Sequence, residues 1–274
     1  MKPAYHRRVQ RAGPSLTARW IAAQRARLAG TRPVGIDGDP DAEQRLYAGF
    51  SRLLAMPGLG ATGLAARTKF FDDETAAALA RGADQIVLVG AGYDGRPLRF
   101  RTSGVRWIEV DHPATQPDKC RRLGALGVPL DHITFVPVDL VENDLATALA
   151  AAGHRGDRAS LFICEGLFSY LPLSVGVAVC QALRVRATPD SVLAASFLVS
   201  SAPRAASRAF QRAVDGLLSV IGEVRATNFR SGEPDRLLEQ SSWTIRRRTA
   251  LPARGLDAGG PLLVSASPRD DTGR

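Results

Sequence analysis

Four places along the chain put a residue type where that type can do chemistry: the glycine pair Gly90 and Gly92, and the acids Asp111, Asp139 and Glu165. The glycines lie in Val87 to Gly95, VLVGAGYDG, where a short apolar run enters a turn. Glycine bends sharply and lets the backbone approach a ligand that any Cβ would hold off, so a strand leading into such a turn makes a nucleoside-binding crevice. Asp111 ends the next apolar run, nineteen residues past Gly92, and Asp139 and Glu165 end two more. In an open α/β sheet, ligands lie beyond the carboxyl ends of the strands. One acid there is commonly a helix cap. Three in succession on one rim read as a ligand site.

The turn does not by itself choose its ligand. GAGYDG satisfies the dinucleotide pattern G-x-G-x-x-G and also the looser G-x-G of S-adenosyl-L-methionine (SAM) sites. The other strand ends supply the groups SAM needs. Asp111 can accept from the ribose diol, and Asp139 from the exocyclic amine of adenine, with Leu140 packing on the ring or offering its amide. Glu165 can pair with the methionyl ammonium, and Arg67 can hold the carboxylate in a bidentate fork. An acid-rich rim also suits a sulfonium. An NAD(P)-dependent oxidoreductase keeps Asp111 for a ribose but fails on catalysis. A short-chain dehydrogenase needs Tyr-x-x-x-Lys, and no lysine follows Lys119, so Tyr170 has no such partner. That reading and a non-catalytic SAM-binding protein stay open as alternatives.

These positions need a sheet to hold them. From Gln85 onward, β-rich runs alternate with helical stretches: Gln85 to Val89, Arg106 to Val110, Ile133 to Val138, Leu161 to Cys164 and Val192 to Phe197. That alternation predicts a parallel sheet covered by helices. Two more strands are expected around Trp243 to Arg246 and Leu262 to Ala266. Ahead of the sheet, Thr17 to Leu28 and Ala42 to Leu54 carry apolar residues at helical spacing, with a Gly/Pro loop between them at Thr31 to Pro40. A third helix is expected to start near Asp72 or Asp73, where an acidic cap leads into ETAAALA. Ser201 to Val220 reads as one or two amphipathic helices. The predicted organisation is an N-terminal helical cap segment over residues 1–70, a cofactor-binding domain over 71–267 with a cap insertion near 201–229, and a disordered tail over 268–274.

Composition removes other classes. A chain of 274 residues, 45% hydrophobic, can bury a full core. Its apolar runs are far short of a membrane span, and Lys2, Arg7, Arg8 and Arg11 are not followed by a secretory apolar segment, so a cytoplasmic location is expected. Cys120, Cys164 and Cys180 are widely spaced with no zinc pattern; they read as reduced thiols, and no metal site is expected. The net charge of +9 is spread along the chain apart from Arg246 to Arg248, with sparse aromatic residues, which argues against a nucleic-acid partner.

Five ordered segments carry a resemblance. ARTKFFDDE (Ala66 to Glu74), GAGYDGRPLRF (Gly90 to Phe100), EVDHPATQPDK (Glu109 to Lys119), FVPVDL (Phe135 to Leu140) and CEGLFSYLP (Cys164 to Pro172) resemble the leucine carboxyl methyltransferase family, most of all its bacterial branch of SAM-dependent O-methyltransferases. The similarity covers roughly residues 17–200, with a weaker echo at Phe229 to Trp243. It implies an α/β class I SAM-methyltransferase fold, a Rossmann-like, mostly parallel sheet with helices on both faces plus a helical cap. It also implies cofactor contacts at Arg67, Gly90, Asp111, Asp139, Leu140 and Glu165, and carboxyl or hydroxyl O-methylation that releases S-adenosyl-L-homocysteine (SAH). Relatives more often have threonine before the arginine of GYDGR, so Gly95 is expected to remove a side chain near the cofactor carboxylate.

A carboxylate acceptor is already ionised at neutral pH, so positioning and desolvation suffice, whereas a phenol or alcohol benefits from a base. His112 precedes Pro113 at a helix start and reads as structural; His132 and His154 fall in loops and receive no role. Tyr170 is the candidate beside the reacting methyl, with a core aromatic under the cap as its other reading. A cap rich in Ala, Leu, Val, Phe and Arg favours a small apolar carboxylic acid, such as a polyketide or other secondary metabolite, held by arginine.

Overall fold

The computed structural model describes residues 14–28, 32–48, 61–200, 226–252 and 259–269. Among the described residues three helices precede the sheet: α1 (Leu16–Ala26), α2 (Ala42–Tyr47) and α3 (Ala61–Ala80). The chain then alternates as the sequence predicts, through β1 (Gln85–Val89), α4 (Arg96–Arg99), β2 (Arg106–Asp111), α5 (Gln116–Leu126), β3 (Ile133–Pro137), α6 (Leu145–Ala151), β4 (Ser160–Cys164), α7 (Leu173–Val185) and β5 (Val192–Ser200). It finishes with β6 (Phe229–Arg230), α8 (Glu233–Gln240), β7 (Trp243–Ala250) and β8 (Gly259–Pro268).

The sheet order is β3-β2-β1-β4-β5-β8-β7, with β6 pairing the end of β5. Strands β1 to β5 are mutually parallel, and β8 inserts antiparallel between β5 and β7. The period-2 alternation of a strand divides β1 between two cores. Val87 and Val89 pack with α6, α7 and α8 on one face, through Leu145, Leu149, Val179, Leu183 and Leu238. Ile86 and Leu88 pack with α1 to α5 on the other, through Ala22, Leu46, Phe71, Leu98 and Leu123. Helices therefore cover both faces. Trp243, fully buried at the start of β7, donates from Nε1 to the Cys180 carbonyl at 2.9 Å, which ties the late hairpin to α7.

Several boundaries differ from the sequence expectation. The helix expected near Asp72 is already under way at Ala61, and α3 runs unbroken across residues 70 and 71, where the sequence divided cap from domain. Asp72 sits mid-helix instead of capping it, because its carboxylate is taken by three arginines. Of the helix expected over Ala42 to Leu54, Ala42–Tyr47 is described, and residues 49–54 lie outside the described set. So do residues 201–225 of the expected cap insertion and 270–274 of the expected tail; Phe229 belongs to β6 and Pro268 to β8. Cys164 and Cys180 are buried free thiols in β4 and α7, and Cys120 is partly buried in α5. Among the described residues no helix is long and apolar enough to cross a membrane.

His154, one of the loop histidines, is buried behind β4. Its Nε2 lies 3.0 Å from Ser160 Oγ, and its Nδ1 accepts from Arg186 Nε at 3.3 Å. Burial, reinforced by Arg186 and Arg106, pushes the imidazole down to about 4 from 6.5. A group whose folded-state value lies below its unfolded one stabilises the fold above the unfolded value, and that contribution is lost as pH falls toward the folded one. Thermal unfolding of the wild type is therefore expected to lose stability between pH 6.5 and 5, before most carboxylates titrate, and His154→Gln to lose less over that interval. Equal slopes for the two proteins would mean that His154 is not held neutral.

Candidate functional site

The crevice opens where the strand order reverses. From β1 the chain steps outward to β2 and β3, then crosses back to β4 on the other side of β1, and such a reversal is where open α/β sheets bind ligands. The turn after β1 carries Gly90 at φ 72° and Gly92 at φ 50°, conformations that L side chains rarely adopt. Their neighbours also need them small. A Cβ on Gly90 would lie 2.9 Å from Leu167 Cδ1, and one on Gly92 would lie 3.1 Å from Ala18 Cβ of α1. The turn is thus roofed by α1 and flanked by the segment after β4.

Around this turn, Arg67, Gly90, Gly92, Asp111, Asp139, Leu140, Glu165 and Tyr170, all singled out in the sequence, line one cleft. Asp111 ends β2, and its Oδ2 accepts the Gly92 N–H while Oδ1 accepts the His112 N–H at 2.6 Å. Asp139 follows β3, its Oδ1 accepting the Val141 N–H at 2.9 Å and its Oδ2 facing His112 Nε2 at 3.6 Å. Tyr170 closes a single 3₁₀ turn, Phe168–Tyr170, on the β4 side. Apolar walls come from Ile21, Val141, Leu167 and Leu171. Among the described residues no group of three or more His, Cys, Asp or Glu side chains could hold a metal ion.

The floor of the cleft is ionic. Glu165 Oε1 receives Arg25 Nη2 at 2.5 Å and Arg67 Nε at 2.8 Å, and Oε2 receives Arg96 Nη1 at 2.9 Å. The sequence assigned Arg67 and Glu165 to opposite ends of a zwitterion; here they bond each other. Arg96, fully buried in α4, continues to Asp94 at 2.5 Å and Asp72 at 2.8 Å. Asp72 also takes Arg32 at 3.0 Å and Arg99 at 2.7 Å, and Glu43 of α2 pairs with the same two arginines. Burial alone would raise the carboxyls of Glu165, Asp94 and Asp72. Arg25, Arg96 and Arg67 overcome that for Glu165 and hold it below the usual range, and Arg96 and Arg99 bring Asp72 down to about 2. Five guanidiniums face four carboxylates, which leaves one positive charge in excess among the described residues.

Sequence reading passed over Arg25, Asp94 and Arg96. The available signal was Arg25 itself, an arginine four residues past Ile21 and seven past Ala18, on the face of α1 that lines the cleft. Its guanidinium lines the cleft, and its buried Nε has no hydrogen-bond partner among the described residues. Gly95 was expected beside the cofactor carboxylate. It does not line the cleft; a Cβ there would meet Glu43 Cγ at 2.0 Å, so glycine is required by the ionic floor. The basic run Arg246 to Arg248 is largely neutralised, Arg247 pairing with Glu74 at 2.7 Å and Arg248 with Asp235.

Comparisons with known proteins agree on the family. The model of the leucine carboxyl methyltransferase family matches residues 35–184. A protein of Mycobacterium sp. (strain JLS), named as an S-adenosyl-L-methionine-dependent methyltransferase, is 36% identical over 209 residues, 68% of this chain and 67% of its own length. One of the same name in Mycolicibacterium vanbaalenii is 33% identical over 164 residues, 59% of this chain and 52% of its own length. Among solved structures, a protein of Thermobifida fusca named as a methyltransferase superposes with a TM-score of 0.61 over 96% of this chain and 97% of that one, at 15% identity. Magnesium protoporphyrin IX methyltransferase of Synechocystis, solved with SAH, superposes with a TM-score of 0.52 over 79% of this chain and 90% of that one, at 16% identity. At such identities these two speak for the fold, which is the class I SAM-methyltransferase fold.

The placement of Gly95 has a measurable consequence. Gly95→Ala is expected to destabilise the protein by about 1–3 kcal/mol, as overpacking against a buried side chain does, while SAH affinity in the folded protein stays within about twofold. A selective loss of SAH affinity at unchanged melting temperature would return Gly95 to the cofactor side.

Proposed function

The chain belongs to the leucine carboxyl methyltransferase family and is a SAM-dependent methyltransferase, and on that premise we propose that it methylates a carboxylate, or failing that a hydroxyl, of a small apolar metabolite. The observation that carries this reading is the convergence, in one cleft at the β1/β4 reversal, of a glycine turn, two backbone-anchored aspartates, an arginine cluster and an apolar wall.

The residues present fit the cofactor. The turn has no Cβ at Gly90 or Gly92 where a nucleoside would approach. Asp111 is held by two backbone N–H groups, so its carboxylate is oriented before any ribose arrives, and Asp139 is oriented in the same way by Val141. Arg67 and Arg25, drawn side by side by Glu165 Oε1, form a paired cationic site for the methionyl carboxylate, and the unpartnered Arg25 Nε is a donor waiting for it. An ammonium at Glu165 shares that carboxylate with the arginines. Leu140 packs against the adenine side of the cleft.

When bound, SAM supplies an electrophilic methyl group on a sulfonium. The chain's contribution is position and dryness. Ile21, Leu167 and Leu171 strip water from an apolar acceptor, and Tyr170 lies on the same wall to orient it. A carboxylate acceptor arrives ionised, so no side chain has to remove a proton in this reading.

Three measurements test this. SAH is expected to raise the melting temperature and NAD to leave it unchanged; stabilisation by NAD alone would sink the assignment. Asp111→Ala and Asp139→Ala are each expected to weaken SAH binding about tenfold or more, the worth of a charge-assisted hydrogen bond, with the fold retained. Transfer of labelled methyl from SAM to a panel of apolar carboxylic acids and phenols then identifies the acceptor class, and turnover confined to phenols would replace the carboxyl reading with the hydroxyl one.

A further inference from the structure

His112 stands between the two aspartates assigned to the nucleoside. Its backbone N–H donates to Asp111 Oδ1 at 2.6 Å, and its ring lies on the cleft wall beside Asp139. Its backbone is tightly set. Pro113 restricts the residue before it to extended conformations, and the His112 carbonyl accepts the N–H groups of Thr115 and Gln116 as α5 begins. Within the ring, Nδ1 accepts the Ala114 N–H at 3.1 Å. A neutral imidazole has one donor and one acceptor nitrogen, so the hydrogen-bond network puts the proton on Nε2. That N–H faces Asp139 Oδ2 at 3.6 Å, the oxygen that Val141 leaves untaken.

From this geometry we propose that His112 is a positioning residue for adenine recognition: its Nε2–H orients the Asp139 carboxylate so that Oδ2 keeps an acceptor lone pair toward the exocyclic amine of the cofactor. The proposal rests on the reading that Asp139 takes that amine. The structural role expected from the sequence is also present, in the Nδ1 bond to Ala114, but it occupies only one side of the ring. The other side points at the nucleoside pocket. The two carboxylates assigned to one adenosine thus meet the same residue, Asp111 bonded by its backbone N–H and Asp139 faced by its side chain at 3.6 Å.

The test separates the two nitrogens. Asn at this position can still accept from Ala114 where Nδ1 does, but it has no group at the place of Nε2; Gln reaches that place with an N–H. The ligands are SAH and S-inosylhomocysteine, which carries a 6-oxo group in place of the 6-amino group, and the readout is the ratio of their dissociation constants by calorimetry, with the ligand-free melting temperature as control. His112→Asn is expected to lower the preference for SAH about two- to fivefold, the effect of one partly exposed polar contact, and His112→Gln to restore most of it, with melting temperatures unchanged. If His112→Asn weakens both ligands equally, or leaves both unaffected, the positioning role is overturned. Asp139→Asn tests the parent reading separately: its amide can donate to a 6-oxo group, so the preference is expected to swing toward S-inosylhomocysteine. An unchanged ratio in Asp139→Asn overturns the adenine assignment itself, whereas a swing there together with an unchanged ratio in His112→Asn overturns the proposal alone.

Discussion

Arg96 is the residue on which the rest of this architecture leans. It is fully buried on the four-residue helix α4, and its guanidinium meets Asp72 of α3, Asp94 of the glycine turn and Glu165 at the end of β4. Buried ion pairs gain little net stability over apolar packing, because the desolvation of each charge offsets the attraction; what they impose is geometry, since losing one partner strands the others at a cost of about 3–5 kcal/mol. Here the geometry imposed is that of the cleft. Through Arg25 the network holds α1 over the turn, and through Glu43 and Arg32 it holds α2 and the loop before it. The helices ahead of the sheet are thus pinned to the strand ends by charge as much as by apolar contact. Lys119, itself buried, donates to the Asp94 carbonyl at 2.6 Å and supports the turn from β2 and α5.

The parts of this arrangement that were legible in the sequence are those whose signal is local. Each strand from β1 to β5 is a short apolar run, and a run of that kind, ending in glycine or an acid, marks both the strand and the rim residue. Asp111 and Glu165 come into place on this logic alone. The ionic floor was not legible, because its partners are far apart in the chain: Arg67 and Glu165 are separated by 98 residues, and Arg96 and Glu165 by 69. Nothing near Asp72 distinguishes a helix-capping acid from one that three distant arginines hold in mid-helix, so the start of α3 was misread by a full three turns. Arg25 left a fainter trace, a charged residue on the stripe of α1 that faces inward.

The glycine turn shows how one motif can answer to several constraints at once. Gly90 and Gly92 have positive φ, yet each is also crowded by a neighbour, Leu167 and Ala18, so the turn is shaped by the fold around it as well as by any nucleoside. Gly95 has φ −101° and no conformational need to be glycine; Glu43 alone excludes a side chain. The third glycine that completes the dinucleotide pattern therefore belongs to the contact between α2 and the turn. A literal match to G-x-G-x-x-G here is the overlap of a ligand-facing pair with a packing requirement three residues on.

Charge balance connects the floor to the chemistry. Among the described residues five guanidiniums face four carboxylates, and on the proposed assignment that excess positive charge lies beside the methionyl end and favours the anionic half of that zwitterion. Asp111 and Asp139 are oriented by backbone N–H groups, and on the proposed assignment they face the neutral donors of an adenosine. A ligand with a carboxylate at one end and hydrogen-bond donors at the other is oriented by this polarity before any close contact forms. On the proposed function, the same excess beside the apolar wall of Ile21, Leu167 and Leu171 favours an anionic acceptor over a neutral one. On the assignment proposed above, one electrostatic asymmetry orients the cofactor and favours a carboxylate acceptor, and α1, through Arg25, is the element that joins the two.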